Sequence, residues 1–456
     1  MKESQGLKLS KQYCSSCHLY TPVELLDRTS WITVLKAMRE EMTRNGINVP
    51  KSEWVEIYAH YVNSAGFALP VPPKEKPGIL PVVIDTAFKS PRDIGDISLL
   101  ECIDGNLLVI GELSGRISIL DSSGYQFLGN THPVPVDTEV NIDHLRIEVL
   151  SMGSMGPRYS LFGQVKRLNW DGEWSTIIDS LVRPIDMIYH DLDQDDNREI
   201  LISVFGSPLD TIPTGGLFVQ NDEIGPGDQA LLSSPGVTKI RVVDMDSDGL
   251  DDILVLIAQG DERLVLLRNR GNMQFDAEVL LRFHPVFGSN DFDIRDMNGD
   301  GQPEILLVNG DNADYSQVFK PYHGLRVFEK DSEGEFQEVF FYHINGASKI
   351  HLTGLNNDPL TDIIVEAIYP DLFSYPYEQL TAFVNIEHLD FKPMILSEQP
   401  LNNMLRCAIC DIDQNGEKEL YIGGNNAVER NIPVVLRQQW AQESEMLYRL
   451  LLHQNM

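Results

Sequence analysis

Two spacings of apolar residues divide the chain. Up to about residue 70 they recur at three- and four-residue intervals, as in Trp31, Val34, Leu35, Met38 and Met42, which line one face of a helix. Ser30 is placed to cap a helix that starts at Trp31 and runs to about Asn45, with Gly46 as its stop. Ser52 is placed to cap a second helix, Glu53 to about Asn63, ending before Gly66. Residues 70–79, PVPPKEKPGI, hold prolines and both charge signs without a period. Such a stretch continues neither a helix nor a central strand, which sets a linker at 71–79. From about residue 80 the runs become short and β-like, separated by Gly, Asp and Asn turns. The last residues, 436–456, pattern as an amphipathic helix packed on the outside.

The β-type part repeats. DLDQDDNREILI starts at Asp191, DMDSDGLDDILV at Asp244, DMNGDGQPEILL at Asp296, GLNNDPLTDIIV at Gly354 and DIDQNGEKELYI at Asp411, with starts 52 to 58 residues apart. Two decayed copies precede them: IDGNLLVIGE, with Asp104 in register with Asp248, and a stretch from Glu148 to Gly163. A period near 50 with four short strands per unit describes a propeller blade, and five clear units with two weak ones predict seven blades over residues 80–435. The repeat resembles the FG-GAP/VCBS propellers, whose loops are integrin-like and bind calcium. The resemblance is loose over 80–435 and specific at the five loops.

Composition narrows the partners. A net charge of -32 argues against nucleic acid and anionic lipid, and favours basic partners or divalent cations. No apolar run reaches the length of about 18 residues that crosses a bilayer. The start, MKESQGLKLS, carries no apolar stretch, so an export signal is expected to have been removed.

The run Cys14-Ser15-Ser16-Cys17-His18 carries the sharpest chemistry. Two thiols three residues apart can add to the two vinyl groups of one haem, and the next residue then presents its imidazole to the iron. The run resembles the attachment site of c-type monohaem cytochromes, which implies a small all-α haem domain at 1–70 with one haem c. Cys14 and Cys17 would form the covalent links and His18 the proximal iron bond. Pro22 resembles the proline whose carbonyl orients that imidazole. Met38 is the expected distal ligand, with Met42 one turn away as the alternative. His60 is the competing nitrogen donor, expected at the surface.

Four loops place oxygen-bearing side chains at positions 1, 3, 5 and 9: Asp191, Asp193, Asp195 and Glu199; Asp244, Asp246, Asp248 and Asp252; Asp296, Asn298, Asp300 and Glu304; Asp411, Asp413, Asn415 and Glu419. Calcium takes six to eight oxygens and suits such a spacing. The same residues also suit metal-free turns in which carboxylates cap backbone N–H groups. Gly249, Gly301 and Gly416 supply left-handed turns. The loop at 244 is the strongest candidate, and the loop with Asn356, Asp358 and Asp362 lacks the first carboxylate.

Cys407 and Cys410 form a second C-x-x-C, but no second ligand pair for zinc accompanies them. They are expected as small buried residues of a strand, with a disulfide to Cys102 as the other reading. His190, His284, His323, His343 and His351 are scattered, and no nucleophile elbow, Walker loop or dinucleotide fingerprint occurs. Tryptophan-rich blades, as in quinone-dependent propeller dehydrogenases, are missing; only Trp170 and Trp174 occur there, in an expected WDGEW hairpin. The expectation is an electron carrier outside the cytoplasm, periplasmic or at the cell surface. Its propeller would dock a redox partner protein or a membrane-associated respiratory complex. A propeller oxidoreductase feeding the haem, or a surface-adhesion module, are the alternatives.

Overall fold

The computed structural model describes every residue except 1–2, 72, 86, 92, 142–145, 156–161, 170, 207–213, 221–228, 313–315, 357, 399, 401–405, 426–431, 441–445 and 453–456. Seven sheets follow one another along the chain, and each is built mainly of four antiparallel strands. The first strands of the blades are Ile97–Ile103, Pro135–Asn141, Pro184–His190, Val237–Val243, Ser289–Arg295, Ala347–Thr353 and Arg406–Cys410. Each packs on the next, and the seventh returns to the first, so these strands form a closed inner ring. The seven-bladed β-propeller is thus present.

One local feature recurs around the ring. In blades one to six the pairing of first and second strands slips by one residue, as between Pro184 and Asp186 or Ser289 and Asp291. Such a bulge increases the twist and re-aims the residue that follows it. Three of those residues are aspartates, and each accepts a backbone N–H from the next blade. Asp137 takes Met187 N at 2.6 Å, Asp186 takes Ile240 N at 2.8 Å and Asp291 takes Ile350 N at 3.0 Å. Apolar clusters between neighbouring sheets supply the rest of the blade-to-blade packing, such as Leu254, Leu256, Leu264, Phe292, Ile305 and Leu307 between blades four and five.

Several contacts close the ring, among them the backbone bonds from Ile97 N to Gly424 O and from Asp411 N to Gly105 O. Val82–Ile84 pairs with Leu447–Leu452 as the outer strand of blade seven. Gly78–Ile79 pairs with Met394–Ile395 as a fifth strand of blade six. A disulfide then joins Cys102 of blade one to Cys410 of blade seven. The disulfide reading of Cys410 therefore holds, while Cys407 is a buried thiol. Gly423 is needed at this seam, because a Cβ there would sit 2.8 Å from Ile97 Cδ1.

Several boundaries differ from those the sequence suggests. The expected helix at 436–456 is a short one, α4 (Val434–Trp440), followed by strand Leu447–Leu452, whose apolar run pairs inside blade seven. The propeller pairing thus extends beyond 435 and begins at Gly78, inside the expected linker. Glu148–Gly163 is not the second decayed loop. Glu148 lies within strand Arg146–Ser151, and residues 142–145, which stand in the acidic loops' place in the chain, lie outside the described residues. Trp170 of the expected hairpin also lies outside them.

The N-terminal helices are α1 (Gln5–Cys14), α2 (Arg28–Arg44) and α3 (Lys51–Ser64). Asp27, not Ser30, caps α2, its carboxylate accepting Ser30 N at 2.7 Å. Pro50, not Ser52, precedes α3. Asn45 ends α2 with Gly46 left-handed behind it, as expected. Leu9, Leu26, Trp31, Leu35, Ile57 and Tyr61 fill the space between the helices. The helices rest on the propeller: Tyr322 Oη donates to Leu25 O at 2.8 Å, Ser316 Oγ to Ser30 Oγ at 2.8 Å, and Val286 packs on their apolar cluster. The proline-rich segment is likewise held, through a buried Lys74–Glu378 ion pair at 2.5 Å.

Replacing both cysteines of the bridge, Cys102→Ser with Cys410→Ser, should lower the melting temperature, a loss on the order of 2–4 kcal/mol. A melting curve indifferent to reductant would mean that strand pairing alone closes the ring.

Candidate functional site

Cys14 is the last residue of α1, and Ser15 and Ser16 turn the chain so that Cys17 is exposed. Ser16 Oγ donates to Tyr13 O at 2.7 Å and fixes that turn. Both thiols are unpaired. Burial pushes the Cys14 thiol up to about 11. His18 Nδ1 lies 2.7 Å from Leu19 O, so Nδ1 carries the proton and the Nε2 lone pair stays available to a metal. Leu19 thus does what Pro22 was expected to do; Pro22 O instead accepts Leu25 N. Two thiols and an imidazole held through Nδ1 are the donor set that a haem c requires.

Behind this turn the Trp31 and Tyr61 rings lie 4.1 Å apart, Trp31 Nε1 donates to Val23 O, and Tyr61 Oη donates to Thr21 O. Met42 packs against the same apolar cluster, whereas Met38 is half-buried outside it. His60 lies 3.5 Å from Tyr20 Oη, and burial lowers its pKa. Sequence reasoning named His284 only as one of the scattered histidines; it is a propeller residue facing this region. Burial depresses its pKa, while its contact with the Tyr20 backbone opposes that shift and nearby His18 reinforces it. No local pattern around His284 marks it, because its role depends on how helices and blades dock.

Each acidic loop joins the first and second strand of a blade. Its first carboxylate gathers the turn: Asp191 accepts Asp195 N and Asp196 N, Asp244 accepts Asp248 N and Gly249 N, Asp296 accepts Gly299 N and Gly301 N, and Asp411 accepts Asn415 N and Gly416 N. Position 5 caps the residue two further on, as Asp195, Asp248, Asp300 and Asn415 all do. The acid at position 9 is buried and reaches back to the loop's second residue: Glu199 to Leu192 N, Asp252 to Met245 N, Glu304 to Met297 N and Glu419 to Ile412 N. Gly249, Gly301 and Gly416 are left-handed, as required, and Asp196 takes that conformation in the loop at 191 despite its Cβ.

Convergence differs from loop to loop. Asp191, Asp193 and Glu199 bring oxygens together, as do Asp411, Asp413 and Glu419. Asp300 and Glu304 are joined by Glu329 from the third strand, which the loop pattern could not reveal, while Asn298 donates to both glutamates. Burial, with Asp300, Asp296 and Glu329 nearby, pushes the Glu304 carboxyl up to about 7. In the loop at 244 only Asp244, Asp246 and Asp248 converge, and Arg268 holds Asp246 at 2.5 Å. That guanidinium competes with a cation, which makes this loop a poorer site than its spacing implies. Asn356 donates to Asp358, and Asp362 holds Leu355 N.

The histidines do not meet at one point. His190 lies 2.7 Å from Asp251, while His323 and His343 are buried around Lys320. His351 belongs to the inner ring, which also carries Asp186 paired with Lys239 and Arg241 paired with Asp293.

The closed ring of seven antiparallel blades defines a β-propeller, and the acidic loops define its repeat. Residues 244–307, from the loop at Asp244 through the next one, match the FG-GAP-like repeat. No curated protein sequence matches the chain. Among solved structures it is similar to the N-terminal domain of Nup159, with 12% identity, a TM-score of 0.45, and coverage of 84% of this chain and 98% of that one. It is also similar to a putative oxidoreductase (glucose dehydrogenase) from Thermus thermophilus, with 10% identity, a TM-score of 0.37, and coverage of 60% and 91%. At these scores neither transfers a function.

Asp252→Ala should destabilise the propeller whether or not calcium is present, because Met245 N and Asn269 N lose their buried acceptor. The expected cost is about 1–3 kcal/mol for each orphaned group. A melting temperature unchanged in chelator would contradict the metal-free role of the position-9 acid.

Proposed function

We propose that the chain is an electron-transfer protein that works outside the cytoplasm, carrying one covalent c-type haem beside a propeller that docks its redox partner. The observation that carries this reading is the C-x-x-C-H turn with both thiols unpaired and His18 anchored through Nδ1. When bound there, haem supplies reversible one-electron transfer. Cys14 and Cys17 tether it, His18 offers Nε2, and Met38, or Met42 one turn on, offers a thioether from α2. Trp31 and Tyr61 keep water from the inner side of the turn. The expected partner is a redox protein or a membrane-associated respiratory complex with a basic face, since a charge of -32 steers such a surface inward.

Two further observations support the setting. A Cys102–Cys410 disulfide belongs to oxidising compartments, which suits the periplasm or the cell surface. Among the described residues no helix is long and apolar enough to cross a membrane. The hydrogen bonds of Tyr322 and Ser316 hold the helices against the propeller, so a docked partner would meet the cofactor at a fixed place.

The test uses the full chain. The denatured protein should give one c-type pyridine haemochrome per chain, and Cys14→Ala with Cys17→Ala should abolish it. That variant should still compete for the partner while passing no electrons. Haem that extracts freely into acid acetone would end the attachment claim, and substrate-dependent dye reduction by the haem-free variant would favour the oxidoreductase reading.

We further propose that calcium occupies the loops at 191, 296 and 411. Calcium at about 100 times its dissociation constant should stabilise the propeller by roughly 2.7 kcal/mol per site. Asp193→Ala with Asp413→Ala should blunt that gain. A transition indifferent to chelator and calcium would leave these loops as capped turns.

A further inference from the structure

Cys407 is the cysteine that neither the haem motif nor the disulfide uses. It lies on the inner strand of blade seven, and its side chain faces blade six. Its Sγ is 3.1 Å from His351 Nε2, which is 3.4 Å from Glu366 Oε2. His351 comes from the inner strand of blade six and Glu366 from the strand beside it. The relative exposure is 1% for Cys407 and, for the side chains, 0% for Glu366 and 11% for His351. A thiol, an imidazole and a carboxylate therefore converge at the seam between the last two blades, a donor set unlike the oxygen-only acidic loops.

We propose that His351, Glu366 and Cys407 form a zinc site, with water in the fourth position. Zinc accepts mixed sulfur, nitrogen and oxygen donors, with bonds of about 2.3 Å to sulfur and about 2.0–2.1 Å to nitrogen or oxygen. Tetrahedral bonds of those lengths put a nitrogen and an oxygen about 3.3 Å apart, and a sulfur and a nitrogen about 3.6 Å apart. The His351–Glu366 separation already matches, and the sulfur has to retreat by about half an ångström. Coordination replaces the S–H bond of Cys407 with an S–Zn bond, and the proton leaves to solvent. The thiolate and the carboxylate then balance the charge of the ion.

The surroundings suit a ligand set. Arg406 Nη1 lies 3.2 Å from Glu366 Oε1, the oxygen not turned toward His351, and so orients the carboxylate from behind. Calcium, a hard ion, would find only one hard oxygen donor here.

The test is zinc K-edge X-ray absorption on the full chain carrying Cys14→Ala and Cys17→Ala. In that background Cys407 is the sole free thiol, and the result does not depend on whether haem attaches. After zinc loading and gel filtration, the expected result is one zinc per chain with one sulfur at about 2.3 Å and nitrogen or oxygen at about 2.0–2.1 Å. Cys407→Ser should remove the sulfur shell. His351→Gln, which keeps Cys407, should lower the zinc retained at limiting metal at least tenfold, and its melting curve shows that it is folded. Zinc retained without a sulfur neighbour, or a stoichiometry unchanged by His351→Gln, would overturn the site and leave a buried thiol–imidazole hydrogen bond.

Discussion

Blade-to-blade adhesion governs this molecule, and part of it runs through carboxylates buried where blades meet. A sheet pairs its strands internally, and backbone bonds across the gap to its neighbour occur only at strand ends and loops, as from Ile97 N to Gly424 O and from Gly236 N to Phe205 O among the described residues. Asp137, Asp186, Asp291 and Glu366 cross that gap by accepting the N–H of Met187, Ile240, Ile350 and Cys407. The Glu262 carboxylate does the same for Ser289 and Gly288. Burial makes an unmade hydrogen bond costly, so each of these acceptors favours the arrangement that keeps its donor. These contacts therefore help fix the rotation of one blade against the next at five of the seven seams, from blade two to blade seven. The inner-strand bulges, the acidic loops and the seam at Cys407 all take their positions from that rotation.

The same logic explains why the acidic loops look alike with or without a cation. Most of their oxygens already have work: position 1 gathers the turn, position 5 caps it, and position 9 ties it to the strand. What distinguishes one loop from another is the neighbour supplied by the third strand. Arg268 neutralises the loop at 244, whereas Glu329 adds a further negative charge to the loop at 296. The two neighbours bias cation binding in opposite directions, although both loops carry oxygen-bearing side chains at positions 1, 3, 5 and 9.

Much of this was legible in the sequence because it depends on short-range patterns. The repeat of acidic loops revealed the blades, and the left-handed glycines at 249, 301 and 416 revealed the turns. The apolar spacing from Trp31 to Met42 revealed α2. Other features escaped because they are set by partners distant in sequence. Ser30 looks like a cap until Asp27 is seen to hold its N–H. The run Leu447–Leu452 has a helical look alone, but it pairs with strands on both sides. Glu329, His284 and the company of Cys407 are each decided by which strands or helices become neighbours.

The bridge between Cys102 and Cys410 has a consequence for how the chain is made. In a polypeptide that emerges from its N-terminus, Cys102 appears roughly three hundred residues before its partner. The two sulfurs meet only where blade seven lies against blade one, so the native bridge cannot form until both ends of the propeller have been made. Once formed, it ties the first blade to the last and turns a run of seven sheets into a covalently closed loop.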